Sequence, residues 1–350
     1  MNQALGGNVD KGRVYKVGLV GAGGVGRKRA AQVNACPRSR LHWVYDVDAA
    51  AAAATAEANG ARAAADWRAV VDADIDALIV STTHDALAPV SVAALEAGKH
   101  VLCEKPAGRN PAEVRQAVEA AEAGGRVYKA GYNHRYHPAI RKVHRVWREG
   151  GIGEIDFIRA RYGHGGRPGY DREWRADPDK AGGGEMLDQG VHLIDLCGWF
   201  LGDFEQISGW ISTRFWDMPL EDNAFGLLRT AGGQVASIHA SWTQWKNLFS
   251  FEVFGRDGYA VANGLGGSYG PEHAVIGRRR PEGGVPDEAR FDFPQEDASW
   301  ALEWADFVEG MDGGTPLSSG REVLTTIEWV YRLYRASATG AAVDGAEPTT

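Results

Sequence analysis

The chain has only three cysteines in 350 residues, Cys36, Cys103 and Cys197, far apart and forming no C-x-x-C pair. That argues against a disulfide framework and fits a reducing compartment, with the thiols acting as small buried hydrophobes. There is no long basic run. Thirty-eight lysines and arginines stand against 46 acidic residues, a formal net charge of −8, which argues against a nucleic-acid partner. No uninterrupted apolar stretch reaches membrane-spanning length and no secretory-type signal opens the sequence, so a cytoplasmic protein without a membrane partner is expected. Internal repeats are absent. No tight set of three or four metal ligands appears either, so no metal is expected. What remains is an ordinary globular composition, 44% apolar and 24% charged, long enough for two domains or one large one.

What is there begins with Val17-Gly18-Leu19-Val20-Gly21-Ala22-Gly23-Gly24-Val25-Gly26, an apolar strand running into a glycine turn and then a helical segment, 27–36. Glycines at 21, 23 and 26 have the G-x-G-x-x-G spacing of a dinucleotide site. Gly21 permits the tight turn, Gly23 lets the backbone approach a pyrophosphate, and Gly26 lets the helix pack on the sheet. The helix start, through Gly24 and Val25, offers backbone N–H groups and a positive dipole end. A second strand, 41–45, ends at Asp46, twenty residues beyond Gly26, where a carboxylate would accept hydrogen bonds from ribose hydroxyls. A glycine turn plus a solvated aspartate is the alternative.

The alternation continues with an alanine-rich helix over 49–58, a strand over 77–80, a helix over 89–97, a strand over 100–103, a helix over 111–123 and a strand over 127–130. Strands alternating with helices predict right-handed βαβ units and a doubly wound parallel sheet over 13–131. Residues 1–12 read as a disordered lead-in. The exit of the third strand, Ser81-Thr82-Thr83-His84, lies where such a sheet presents Thr82, Thr83 and His84 to a cofactor. After a helix over 138–149 the pattern changes to strand-like stretches, 155–162, 206–215, 223–228, 234–242 and 249–254, interrupted by one long helix, 186–200. Strands without crossover helices predict a mostly antiparallel open sheet in a second α/β domain, 132–336. Helices over 300–311 and 321–336 close the chain before a loose tail, 337–350.

Glu104-Lys105-Pro106 follows a strand at its carboxyl end, the edge where open α/β sheets bind ligands. Lys105 there can reach the nicotinamide end of a dinucleotide, a setting that favours the neutral amine. A surface pair with Glu104 is the alternative. On the long helix, Asp188, His192 and Asp195 are spaced four and three apart, which predicts one shared face on an otherwise apolar segment. Histidine can exchange a proton with an alcohol while a carboxylate fixes its tautomer. The run Tyr132-Asn133-His134-Arg135-Tyr136-His137-Pro138 carries histidines that invite a metal reading, which the absence of zinc-like spacing discounts. The glycine-broken loop 162–177 carries Arg167, Tyr170, Trp174 and Arg175, types that stack on sugar rings and bind hydroxyls, or that serve as a core anchor and solvated charges.

Four ordered motifs together resemble the Gfo/Idh/MocA family, over residues 14–336: the glycine turn, Glu104-Lys105-Pro106, Asn133-x-Arg135-x-His137-Pro138, and Gly182-Gly183-Gly184 leading to Asp188-x-Gly190-x-His192-x-x-Asp195. The resemblance implies a Rossmann domain followed by an α/β domain whose open sheet commonly forms the oligomer interface, hence a homodimer or homotetramer. It implies NAD(P)-dependent oxidation or reduction of a secondary alcohol on a sugar, nucleotide sugar or cyclitol. Carried over, Lys105 contacts the reacting hydroxyl and the cofactor, with Glu104 beside it. His192 accepts or donates the proton, and Asp188 is its companion on the substrate. Asn133 and Arg135 are expected at cofactor or substrate. Asp46 would repel a ribose 2′-phosphate, which favours NAD over NADP, whereas the basic opening Arg27-Lys28-Arg29 could in principle meet a phosphate. A redox-neutral enzyme of the same fold, which oxidises transiently and reduces again, is an alternative reading. A non-catalytic NAD sensor is less favoured, because lysine, aspartate and histidine are all present.

Overall fold

The structure is a computed structural model that describes residues 12–345, so the expected lead-in falls, but for Gly12, outside the described residues. Strands and helices alternate at first: β1 (Tyr15–Val20), α1 (Gly24–Ala35), β2 (Ser39–Tyr45), α2 (Ala49–Asn59), β3 (Arg62–Ala63), α3 (Trp67–Val71), β4 (Ala77–Val80), α4 (His84–Glu96), β5 (His100–Cys103), α5 (Pro111–Gly124) and β6 (Tyr128–Ala130). The six strands form one parallel sheet in the order β3-β2-β1-β4-β5-β6, with the reversal of a doubly wound fold between β1 and β4. β4 is buried at every residue, as a strand covered on both faces must be. α2 shows why its sequence is helical: Asp48 caps the N–H groups of Ala50 and Ala51, alanines fill the body, and left-handed Gly60 ends it. α4 begins at His84 rather than near Pro89, because Thr83 takes the N-cap position and the helix tolerates Pro89 within it. His84 is therefore the first residue of a helix, not a loop residue.

The rest continues with α6 (Pro138–Arg148), β7 (Ile155–Gly163), α7 (Pro178–Ala181), α8 (Val191–Leu201), β8 (Gln206–Ser212), β9 (Asn223–Arg229), β10 (Val235–Ser241), β11 (Leu248–Gly255), β12 (Gly258–Asn263), β13 (His273–Arg278), β14 (Asp287–Asp292), α9 (Ser299–Met311), α10 (Arg321–Thr339) and β15 (Val343–Asp344). Nine strands form the second sheet, β14-β13-β12-β11-β7-β10-β9-β8-β15, antiparallel except for the pair β10 and β7. Along β9 burial alternates, leaving Phe225 and Leu227 exposed on one face while Ala224 and Leu228 are buried on the other. The C-terminal stretch is more ordered than expected. α10 runs on to Thr339, and Val343–Asp344 pairs with Ile207 and Gln206 of β8.

The chain divides into two compact units, and the division is not a single cut at 131. The first takes the chain to Gly108 with Ala112–Gly131 and Trp300–Leu324; the second takes Arg109–Pro111, Tyr132–Ser299 and the chain from Thr325. α9 thus joins the parallel-sheet unit. The cause is apolar burial: Trp304, Phe307 and Val308 enter the same core as Tyr15, Leu19, Val33 and Leu41, and the Trp304 indole donates to Ser39 Oγ at 2.9 Å.

In the second unit His144 lies flat on Trp199, with ring centroids 3.7 Å apart, and burial with help from nearby Arg148 lowers its pKa to about 4. The unfolded chain then binds this proton from about pH 6.5 downward and the folded chain only near pH 4, so stability falls as pH falls through that window. His100 in the first unit carries the same shift by burial. Thermal melts from pH 7 to pH 4 should show a falling melting temperature, part of which disappears in His144→Phe.

Candidate functional site

In the first unit the turn after β1 is built by close approach. A Cβ at Gly26 would lie 1.9 Å from the Gly21 carbonyl oxygen, and Gly21, at φ +97°, would bring one within 2.3 Å of the Ser81 carbonyl oxygen. Gly23 and Gly24 differ: nothing lies within 4 Å of the space a side chain would take. The start of α1 has no side-chain cap and no acidic residue in its first turn, and Gly23 to Val25 are exposed. An open, uncapped helix start of twelve residues suits a pyrophosphate. Asp46, at the end of β2, accepts from the Ala22 N–H at 2.5 Å and from the Asp48 N–H at 2.8 Å, so its carboxylate is fixed at the glycine turn. These residues fit a dinucleotide.

The basic run splits three ways. Arg27 donates to the Ala22 carbonyl at 3.0 Å, Lys28 lies over the Trp300 ring, and Arg29 is buried between Glu104 and Glu303. Arg29 is therefore committed to carboxylates. Glu104 is committed in turn to Arg29, its carboxylate meeting that guanidinium at 2.6 Å. Lys105 is half-buried, Thr82 and Thr83 are half-buried at the carboxyl edge of β4, and the Thr83 hydroxyl donates to Asp85 at 2.6 Å.

In the second unit the long helix does not keep one period throughout. Met186–Gly190 forms a π turn before α8 begins at Val191, so Asp188 lies in the π turn while His192 and Asp195 stand three apart on α8. Asp188 accepts from Arg175 Nε at 3.0 Å. Asp195 holds Arg135 through two bonds, at 2.9 and 2.8 Å. His192, buried, stacks on His134 with centroids 3.8 Å apart and an interplanar angle of 27°. Tyr132 and Tyr162 meet the His192 ring edge-on. Arg135 is thus a buried strut rather than a surface offered to a ligand, and Asn133 spends its amide on Ser299 Oγ at 2.9 Å.

The loop residues also gather. Arg175 lies over Trp174, 4.5 Å from the ring centroid, and Glu173 draws in both Arg167 at 2.6 Å and Arg175 at 3.8 Å. Burial opposes the Arg175 charge, and Asp188 beside it more than restores it, so its pKa ends above the ordinary value. Sequence reasoning missed Glu173, Tyr269 and Glu221, and gave His134 no role of its own. Tyr269 accepts from Gln189 at 3.2 Å. Glu221 accepts from Gly184 N–H at 2.9 Å, Met186 N–H at 3.1 Å and the Tyr334 hydroxyl at 2.6 Å, fixing the entry to the π turn. Burial raises its pKa despite these bonds. A lone carboxylate in a distant loop gives no periodic signal, whereas His134 had one: it lies in a polar and aromatic run, residues 131–137, that is wholly buried. Among the described residues no group of three His, Cys, Asp or Glu side chains could hold a metal ion, and no helix is long and apolar enough to cross a membrane.

Residues 15–132 match the profile described as an oxidoreductase family with an NAD-binding Rossmann fold, and residues 140–261 match the GFO/IDH/MocA C-terminal domain. A levoglucosan dehydrogenase of Pseudarthrobacter phenanthrenivorans is 27% identical over 286 residues, 71% of this chain and 73% of that protein. A 1,5-anhydro-D-fructose reductase of Ensifer adhaerens is 30% identical over 287 residues, 79% of this chain and 81% of that protein. The solved structure of a levoglucosan dehydrogenase in complex with NADH superposes with a TM-score of 0.87, covering 96% of this chain and all of that one at 22% identity, a likeness of fold. With both domain profiles matched in order and relatives of this length and identity, the chain belongs to the Gfo/Idh/MocA oxidoreductases and carries their NAD-binding Rossmann domain.

Proposed function

We propose that this protein moves a hydride between NAD and a secondary alcohol or ketone of a sugar, nucleotide sugar or cyclitol, with His192 and Lys105 in proton transfer. The observation that carries the reading is the buried His192, stacked on His134 and four residues beyond an Asp188 fixed by Arg175. Such a constellation is set up to pass a proton rather than to stabilise a core. When bound, NAD supplies the hydride acceptor. His192 takes the hydroxyl proton, and Asp188 accepts from a neighbouring hydroxyl. Arg167, Trp174 and Arg175 border the substrate, Trp174 offering a face for a sugar ring. The names of the two curated relatives, a dehydrogenase and a reductase, support the reaction type and a carbohydrate-like substrate.

Asp46 makes NAD the coenzyme in preference to NADP, since a 2′-phosphate would meet its charge, and Arg29 is already held by two carboxylates. Asp46→Asn keeps an acceptor for the Ala22 N–H and removes the charge. The ratio of kcat/KM with NADP to that with NAD should rise by about tenfold or more. The protein assembles as a homodimer or homotetramer through the exposed sheet face carrying Trp210, Phe225 and Leu227. We place it in the cytoplasm, in keeping with its three free cysteines. The reading is tested by offering the protein NAD with a panel of sugars, nucleotide sugars and cyclitols and following reduced-nicotinamide absorbance. Signal with one of them supports it; silence across the panel, with NADH also unconsumed by the matching ketones, overturns it.

A further inference from the structure

We infer that Arg29 is a positioning residue that clamps Glu104 and so fixes the corner 104–107 from which Lys105 acts. The inference rests on the proposed role of Lys105. The Arg29 side chain is fully buried. Its Nε donates to Glu104 Oε1 at 2.7 Å, one terminal nitrogen lies 2.6 Å from the same oxygen, and the other lies 2.6 Å from Glu303 Oε2. The Trp300 ring closes over the guanidinium, its centroid 4.5 Å away. The backbone makes room for this arrangement: a Cβ at Gly131 would lie 2.7 Å from Arg29 and 3.0 Å from Glu104 Oε1.

The corner needs holding. Ala107 is buried at φ +74°, a left-handed conformation that a residue with a Cβ adopts only under constraint. Its N–H donates to the Glu104 carbonyl at 3.0 Å, so Glu104 is tied to the corner by its backbone and to α1 by its carboxylate. A buried triad of charges is poor glue, since apolar residues of similar volume hold a core at least as well. Its use here is directional: the Nε–H bond and the ion pair of the neighbouring terminal nitrogen converge on one oxygen, Glu104 Oε1, and set where Glu104, and with it the next residue, can point. Glu303 balances charge. Arg29 and Lys129 stand against Glu104, Glu303 and Asp306, a net of −1. Burial raises the Glu303 carboxyl above its ordinary range although Arg29 lies beside it, and Glu303→Gln keeps the side chain's shape and an oxygen acceptor while Arg29 stays paired with Glu104.

Removing Arg29 alone would leave two buried carboxylates facing each other and risks unfolding. The test therefore compares Glu303→Gln, the double variant R29M/E303Q, which keeps the local net of −1, and R29K/E303Q. Hydrogen exchange on the full-length protein without ligand is the first readout. Relative to E303Q, R29M/E303Q should speed exchange in a peptide spanning 103–108 by about tenfold or more while β1 and β4 stay protected, with R29K/E303Q between. The second readout is turnover of whichever panel sugar reacts. R29M/E303Q should lose about thirtyfold or more in kcat, with KM and NADH affinity by nucleotide fluorescence within about threefold, and R29K/E303Q should recover part of the loss. Unchanged exchange at 103–108, or faster exchange spread evenly over the unit, overturns the inference. If Lys105→Ala keeps normal turnover the catalytic reading fails, and the exchange result still decides whether Arg29 positions the corner.

Discussion

His192→Ala is expected to lower kcat by about a hundredfold to ten-thousandfold, the range over which a positioned proton-transfer group contributes. Lys105→Ala should fall in the same range. NADH affinity, read by nucleotide fluorescence, should change by less than about threefold in both, because the glycine turn, Asp46 and the open start of α1 are untouched. The physical ground for His192 is its setting. It opens α8 just after a π turn, is buried, and stacks on His134 rather than exposing its ring to water. Near-normal kcat in either variant would remove that residue from proton transfer. A large loss of NADH affinity would instead mean that the substitution disturbs the fold, which melting curves would reveal.

Asp195→Ala should cost the second unit much of its stability. It strips the buried Arg135 of both of its bonds to that carboxylate, while the Trp199 ring stays 5.5 Å from the guanidinium. Breaking such a pair costs about 3–5 kcal/mol. At about 2–4 °C per kcal/mol for a unit of this size, the second unit should melt on the order of 10 °C earlier. Asp195→Asn keeps one oxygen acceptor and should cost less. A melting temperature within about 2 °C of the parent would show that the pair contributes little.

The difference between Asp195 and His192 was not legible in the sequence. Both lie on α8 three residues apart, and spacing cannot say that one meets Arg135 and the other the His134 ring; the π turn at Met186–Gly190 alters the period only for Asp188. The parallel sheet was legible because buried strands are written as short apolar runs, and because a glycine spacing that serves close approach leaves few other readings. β12, β13 and β14 escaped notice, β14 most plainly: it is exposed at all six residues, so it has no apolar alternation to read. The return of α9 to the first unit was equally silent, since a local pattern cannot say which core Trp304 will fill. Arg29 shows the same limit from the electrostatic side. In the sequence it is one of three basic residues at a helix start; in the fold it is the one that lies between two glutamates.

Net hydride transfer to free NAD shows most directly in the redox balance of turnover. Substrate consumed and NADH released into solution should be counted together, with the panel sugar that reacts and NAD in excess. One NADH should appear for each alcohol oxidised, in step from the first time point. Substrate converted with no net NADH would contradict it, and would assign the same residues to a transient oxidation reversed before product leaves.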